Sequence, residues 1–104
     1  MIHQMKLRPV PFSQIRAGTK TVELRLQDEK RRLIRIGDRI TFTQTETGEQ
    51  LTVRVTSLHP FSSFEALFAQ LGSECCGGHV DMELYYPPEE QRRWGVLGIG
   101  ISPE

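Results

Sequence analysis

Residues 38–55, DRITFTQTETGEQLTVRV, decide the fold class of this chain, because two amphipathic runs are joined there by a turn. Alternation with polar residues every second position is typical of half-buried strands. The intervening 46–48, Glu-Thr-Gly, has the composition of a tight connection. The stretch therefore predicts a β-hairpin. Its alternating apolar residues are Ile40, Phe42, Leu51, Val53 and Val55.

Shorter patterns on either side of the hairpin predict the remaining elements. Prolines open two of the helices and glycines end them, as is usual for these residue types. In chain order we expect a strand over 3–8, a helix over 11–17, a strand with Val22, Leu24 and Leu26 on one face, the hairpin, a helix over 62–71, a loop over 72–83, one helical turn after Pro87-Pro88, and a closing strand over 95–101.

The helix over 62–71 and the closing strand indicate how the elements pack. Ser62 and Glu65 have the spacing of a capping box, and the helix carries an apolar stripe that predicts a core face. Gly98 and Gly100 leave one face of the closing strand bare, which favours strong curvature or a close neighbour. The fold class we expect is α+β, mainly β: a small barrel of five or six strands with two or three short helices packed on it. The stripe is Phe64, Leu67, Phe68 and Leu71.

Length and composition predict one domain over residues 1–104. The chain is 38% hydrophobic and 25% charged, which is typical of globular proteins. Its first residues lack the pattern of a signal peptide, and no run approaches the roughly 20 apolar residues of a membrane span, so we expect a cytoplasmic protein with no membrane partner. The adjacent Cys75 and Cys76 disfavour an ordinary disulfide and favour reduced thiols. The sequence does not decide the oligomeric state, and a monomer and a weak dimer stay open.

The formal net charge of zero hides an asymmetry between the two halves of the chain. Residues 1–42 carry ten basic and four acidic residues, and residues 43–104 carry three basic and nine acidic ones, so the balances are +6 and −6. Such a partition points to an anionic partner for the basic half. The alternative is that one compact fold mixes the two halves and cancels the charge locally.

Residues 17–26, AGTKTVELRL, place Lys20, Glu23 and Arg25 at the start of a predicted strand. Glu23 and Arg25 share one face of that strand. We expect Lys20 to lie in the turn after Gly18, where its side chain reaches the same face and the three charges converge. The alternative is a solvated ion-pair network of little energetic weight.

This spacing, G-x-K-x-x-E-x-R from Gly18 to Arg25, resembles the signature of the ASCH domain, a relative of the PUA RNA-binding domain. The resemblance covers nearly the whole chain and implies a small β-barrel flanked by helices. It also implies that RNA or a nucleotide binds in a cleft between barrel and helices, with Lys20, Glu23 and Arg25 on its floor. A small branch of similar size hydrolyses N4-acetylcytidine. That branch keeps the lysine but has a threonine, proposed as nucleophile, where this chain has Glu23.

Three functions follow from these features. The first is a module that binds RNA or a nucleotide or modified nucleoside. The second is an amidohydrolase acting on N4-acetylcytidine or a similar nucleoside, with Glu23 activating water and Lys20 and Arg25 stabilising the oxyanion. The two adjacent cations would lower the pKa of Glu23, whereas a general base works better with a raised pKa. The amidohydrolase function therefore ranks second. The third is a protein-interaction adaptor without chemistry.

Other residues extend the predicted site. Lys30 and Arg31, in a run with Arg32 and Arg35, are either phosphate contacts or a solvated face. The aromatic residues Tyr85 and Tyr86 are candidates to stack a base, and the alternative is that they pack as core against the end of the barrel; Trp94 is the better structural anchor. Cys76 and His79 form half a metal site, so no metal is predicted, and no cofactor is expected. Glu74 is a candidate extra carboxylate.

Overall fold

The computed structural model describes residues 1–78 and 81–104, and it confirms the predicted order of elements. Two short 3-10 turns, Glu74–Cys76 and Met82–Leu84, lie in the region predicted as a loop. Residues 79 and 80 of that region lie outside the described residues. A third 3-10 turn, Arg31–Leu33, follows the second strand. No helix in the described part of the chain is long and apolar enough to cross a membrane. The main elements are β1 (Ile2–Leu7), α1 (Pro9–Ala17), β2 (Val22–Leu26), β3 (Arg39–Gln44), β4 (Gln50–Phe61), α2 (Phe64–Leu71), α3 (Pro88–Trp94) and β5 (Val96–Pro103).

Five strands form one sheet in the order β1-β3-β4-β5-β2. The β1–β3 pair is parallel and the other three pairs are antiparallel. The sheet curls into a half-barrel, so the α+β, mainly β prediction is confirmed. β1 and β2 are the two ends of the strand order, and they run in opposite directions.

The predicted hairpin is present as β3 and β4. Ile40 faces Val53 and Phe42 faces Leu51 across the ladder, and Ile40, Phe42 and Val53 are fully buried. β4 extends beyond the predicted strand to Phe61, and an irregularity between Val55 and Ser57 interrupts its pairing with β5. Such a bulge bends and twists a long strand, which helps the sheet to curl.

Apolar side chains cover both faces of the sheet. The inner cluster is joined by Phe12 and Ile15 of α1, and the outer one by Phe64 and Leu67 of α2. The two helices thus pack on opposite sides of the strands. The inner cluster comprises Met5, Leu7, Phe12, Ile15, Ile34, Ile40, Phe42, Val53, Val55, Leu97, Ile99 and Ile101.

The bare glycine face of β5 is explained by close neighbours. A Cβ atom on Gly98 would lie 3.1 Å from Leu67 Cδ1 of α2, and one on Gly100 would lie 1.9 Å from Ser57 Oγ of β4. The expectation of a close approach is therefore confirmed. Both glycines let the sheet curve without leaving a gap.

The cap predicted for α2 was wrong by one residue. Ser63, not Ser62, is the N-cap, and its Oγ accepts a hydrogen bond from Ala66 N–H at 3.1 Å. With the helix beginning at Phe64, the residue three after the cap is Ala66 rather than Glu65, so no capping box forms. This start buries Phe64 against the sheet, and that packing fixes the register.

Candidate ligand-binding site

The gap between the edges of β1 and β2, here called the seam, is bridged by the Arg25 side chain of the charged motif, which Glu23 holds in place. Arg25 Nη2 donates to the Lys6 carbonyl at 2.9 Å, and Glu23 Oε1 accepts from Leu24 N–H at 3.1 Å. An edge strand leaves such backbone groups without a ladder partner, and unpaired buried groups are costly. Glu23 and Arg25 therefore stabilise the opening of the half-barrel as well as each other.

The structure brings Lys20, Glu23 and Arg25 together. Lys20 Nζ lies 3.0 Å from Glu23 Oε1, and Arg25 Nη2 and Nε lie 2.9 and 3.2 Å from Glu23 Oε2. Glu23 faces Ile99 across the ladder, so its carboxylate enters the inner side of the sheet, where the residue is 3% exposed. Because the three charges are buried, loss of one partner costs much more free energy than it would in a solvated surface ion pair.

Lys20 reaches this point because the chain turns sharply after α1. Gly18 closes the helix in the left-handed conformation, with φ of 80°. The Lys20 N–H then donates to the Gln14 carbonyl at 3.1 Å, which holds the residue ahead of β2, as predicted. The carbonyl of Cys75 accepts the next amide, Thr21 N–H, at 2.8 Å. Thr21 itself is exposed.

The Glu23 carboxylate is fully engaged and ionised. Burial would raise its pKa, but the charges of Lys20 and Arg25 and their hydrogen bonds outweigh burial, so the pKa is lowered. Both oxygens already accept hydrogen bonds or ion pairs. Such a carboxylate anchors cations and is a poor general base. Nearby, burial and the neighbouring Cys75 raise the pKa of the Cys76 thiol to about 12, so it is not a ready nucleophile.

A cavity of about 570 Å³ opens above this triad, between β1 and α1 on one side and β2 and the turns after α2 on the other. Arg8 lies over the ring of Tyr85, with Cζ 5.4 Å from the centroid. Tyr86 packs against Phe64, with ring centroids 5.6 Å apart. The predicted tyrosines therefore share a cavity with the triad. The lining residues are Lys6, Leu7, Arg8, Pro9, Val10, Pro11, Gln14, Lys20, Glu23, Leu24, Arg25, Cys76, Gly77, Met82, Tyr85 and Tyr86.

Lys30 and Arg31 do not line this main cavity. They border a smaller one of about 270 Å³, with Ile2–Met5 and Leu33. Arg31 Nη1 pairs with Asp28 Oδ2 at 3.0 Å. As phosphate contacts, these two residues stay a prediction.

The remaining candidates lie apart from both cavities. Trp94 donates from Nε1 to Glu90 at 3.0 Å and has Arg32 and Arg93 over its ring, in keeping with an anchoring role. Glu74 is exposed and is not a lining residue of the main cavity. Of the half metal site, His79 lies outside the described residues.

Two glutamines that the sequence did not single out fix the walls of the cavity. Gln14 Nε2 donates to the Gly77 carbonyl at 3.0 Å, which ties α1 to the turn after α2. Gln91, only 6% exposed, accepts from Phe64 N–H at 3.1 Å and donates to the Tyr86 carbonyl at 2.8 Å. Neither residue stands in a motif. A glutamine within a short helix gives no signal of burial, because only the tertiary fold supplies its partners.

A curled five-stranded sheet, flanking helices and a cationic cavity at its open edge together define a small α+β module of the PUA-like class. A family model described as the ASCH domain matches residues 5–104. The chain belongs to the ASCH family, a family usually linked to RNA binding, and the resemblance seen in the sequence is confirmed.

Solved structures agree with this assignment. A crystal structure of hypothetical protein PH0355 is 34% identical, with a TM-score of 0.88 and coverage of 100% of both chains. Protein PF0455 from Pyrococcus furiosus, solved by solution NMR, is 32% identical, with a TM-score of 0.78 over 99% of this chain and 97% of that one. ASCH from Zymomonas mobilis, at 18% identity, has a TM-score of 0.74 over 98% and 69% of the two chains, which shows the shared fold. No curated protein matches the sequence.

Proposed function

We propose that this protein binds RNA or a nucleotide-sized ligand in the main cavity, with Lys20, Glu23 and Arg25 at its floor. The observation that carries the proposal is Lys20: an ammonium group has three N–H donors. In the described part of the chain, Glu23 Oε1 is its single ion-pair partner. No partner for its other donors is found among residues 1–78 and 81–104, so we assign them to a ligand oxygen. The cavity volume lies within the range of roughly 300–1,000 Å³ that small ligands occupy.

The charge of the lining favours an anionic ligand. Four cations, Lys6, Arg8, Lys20 and Arg25, border the cavity, and Glu23 is its one acidic lining residue among those the structure describes. Phosphate oxygens suit both guanidinium and ammonium groups. All four of these cations belong to residues 1–42, the half of the chain with the positive net charge.

The aromatic residues at the mouth suit a planar base. Tyr85 is 49% exposed and lies under Arg8, so one face of its ring is positioned to stack a base or to be displaced from Arg8 by one. Tyr86 is held by Phe64 and by the hydrogen bond from Gln91. We assign Tyr85 the adaptable contact and Tyr86 the fixed wall.

Equilibrium titrations test the proposal. Labelled single-stranded and structured RNA, cytidine 5′-monophosphate and cytidine are titrated at low and moderate salt, against wild type and Lys20→Met. Methionine keeps the aliphatic part of the buried side chain and removes the ammonium group. We expect saturable, salt-sensitive binding to wild type that weakens at least about tenfold in the variant, as for loss of a charged hydrogen bond. If none of these probes shows saturable binding to wild type, the proposal is refuted.

Amide hydrolysis is the second candidate, because the free N–H groups of Lys20 are placed to polarise a ligand carbonyl. The engaged, ionised Glu23 argues against it, since no free base then remains at the triad. Incubation with N4-acetylcytidine followed by chromatography decides the matter. We expect no more cytidine from wild type than from Lys20→Met; a clear excess would make the protein an enzyme.

A further inference from the structure

Both cavities lie along the same free edge of β1. The main cavity takes Lys6 and Leu7 of this strand, and the smaller one takes Ile2–Met5. Since β1 and β2 run in opposite directions, the chain leaving β2 runs back along β1 towards its start. It thereby brings Lys30 and Arg31 to the smaller cavity. The seam thus joins two cavities that are bordered by basic residues.

Cations without an acidic partner occupy both ends of the seam. Over residues 1–78 and 81–104, no carboxylate lies within ion-pair distance of Lys6 or Arg8 at the main cavity, or of Lys30 at the smaller one. Arg31 is paired, since its Nη1 lies 3.0 Å from Asp28 Oδ2, and among the described residues only its buried Nε lacks a hydrogen-bond partner. No acidic residue is among the described lining of the smaller cavity. Unpaired positive charge therefore extends beyond the space of one nucleotide.

The length of the seam matches a short oligonucleotide. From Ile2 to Lys6, β1 advances four residues, which is about 13 Å at about 3.3 Å per residue. A stacked nucleic-acid strand has one phosphate about every 3.4 Å along its axis. The stretch of β1 that borders the two adjoining cavities, from Ile2 to Lys6, therefore corresponds to about four nucleotides of a stacked strand.

The surroundings of the main cavity favour a single strand over a duplex. Val10, Leu84 and Tyr85 are 67%, 79% and 49% exposed, and Val10 and Tyr85 line the cavity. Unpaired bases stack on aromatic rings such as the exposed ring of Tyr85, whereas a duplex hides its base faces. The apolar rim and the basic edge together form a groove for the stacked bases and the phosphate backbone of a single strand.

We propose that the seam binds a single-stranded nucleic acid of about four or more nucleotides, with one nucleotide in the main cavity and the backbone following β1 to Lys30 and Arg31. The inference rests on the proposed function and specifies its ligand as a chain rather than a free nucleotide or nucleoside.

Fluorescence anisotropy with labelled pyrimidine strands of one, two, four and six nucleotides, as RNA and as DNA, tests this inference. The variant is Lys30→Gln, which changes an exposed residue; the matched control is Arg54→Gln, an exposed cation of β4 away from both cavities. We expect affinity to rise at least about tenfold from one to four nucleotides and then level off, as added phosphate contacts predict. Lys30→Gln should weaken the longer strands, lower their salt slope by about 0.7 and leave the mononucleotide unchanged. Arg54→Gln should behave as wild type.

Equal affinity for one and six nucleotides would overturn the inference, and so would an equal loss for both lengths in Lys30→Gln. In either case the proposed function stands with a single-nucleotide ligand. Absence of saturable binding at every length would instead refute the proposed function itself.

Discussion

Replacing the Glu23 carboxylate by an amide tests whether the motif is a buried network that closes the half-barrel. Glu23→Gln keeps the shape of the side chain but leaves Lys20 and Arg25 without their shared counter-charge. Removing one partner of a buried pair costs about 3–5 kcal/mol, because the remaining charge is uncompensated. The side chains of Lys20 and Glu23 are 9% and 4% exposed and that of Arg25 is 14% exposed, so this buried range applies.

Urea unfolding followed by far-UV circular dichroism measures the loss. With a slope of about 1–3 kcal/mol per molar urea, the midpoint should fall by at least about 1 M. In a domain of this size, the melting temperature should fall by roughly 12 °C or more. The matched control is Glu49→Gln, which breaks the pair with Arg16, where both side chains are 49% exposed. That change should cost at most about 1 kcal/mol. Equal, small losses in both variants would refute the reasoning.

Three further predictions concern stability away from the triad. The pKa of Asp38 is lowered from 3.8 to about 2, chiefly by its hydrogen bond with His3, so ionised Asp38 stabilises the fold above pH 4 and this stabilisation is lost as the pH falls towards 2. The urea midpoints of wild type and Asp38→Asn should therefore converge between pH 4 and pH 2. A constant difference between the two midpoints would contradict this prediction. Gly100→Ala should destabilise by about 1–3 kcal/mol, because its Cβ would overlap Ser57 Oγ; thermal melts should show a smaller loss in a Ser57→Gly background, and an equal loss would rule out this clash. Gln91→Ala should cost about 1–3 kcal/mol by leaving two backbone groups unpaired; a change within about 0.5 kcal/mol in urea unfolding would show that the groups find other partners.

Local patterns predicted the elements but not how far each is buried. Alternation located β3 and β4, and the turn after Gly18 placed Lys20 correctly beside Glu23 and Arg25. Lys20 is only 8% exposed, because Gly77 packs against it, and no local pattern indicated this burial. Burial of a lysine depends on what later segments pack over it, and no local period carries that information.

The seam was equally beyond local prediction. Its edges come from β1 and β2, which are close in sequence but lie at opposite ends of the strand order. That order is decided by long-range pairing, above all by β5 joining β2 to β4. For the same reason the sequence grouped Lys30 and Arg31 with the triad, whereas the structure gives them a cavity of their own. Proximity in the sequence therefore predicted neither the order of the strands in the sheet nor the cavity that Lys30 and Arg31 border.

The central claim is that the ligand enters the cavity above Lys20. Two-dimensional amide NMR spectra of the protein during titration with a four-nucleotide single strand test it most directly. The account predicts saturable shifts of the amides of Leu24, whose N–H binds the Glu23 carboxylate, and of Gly77, which packs against Lys20. Shifts confined to amides of the β3–β4 hairpin turn, with Leu24 and Gly77 unmoved at saturation, would contradict it.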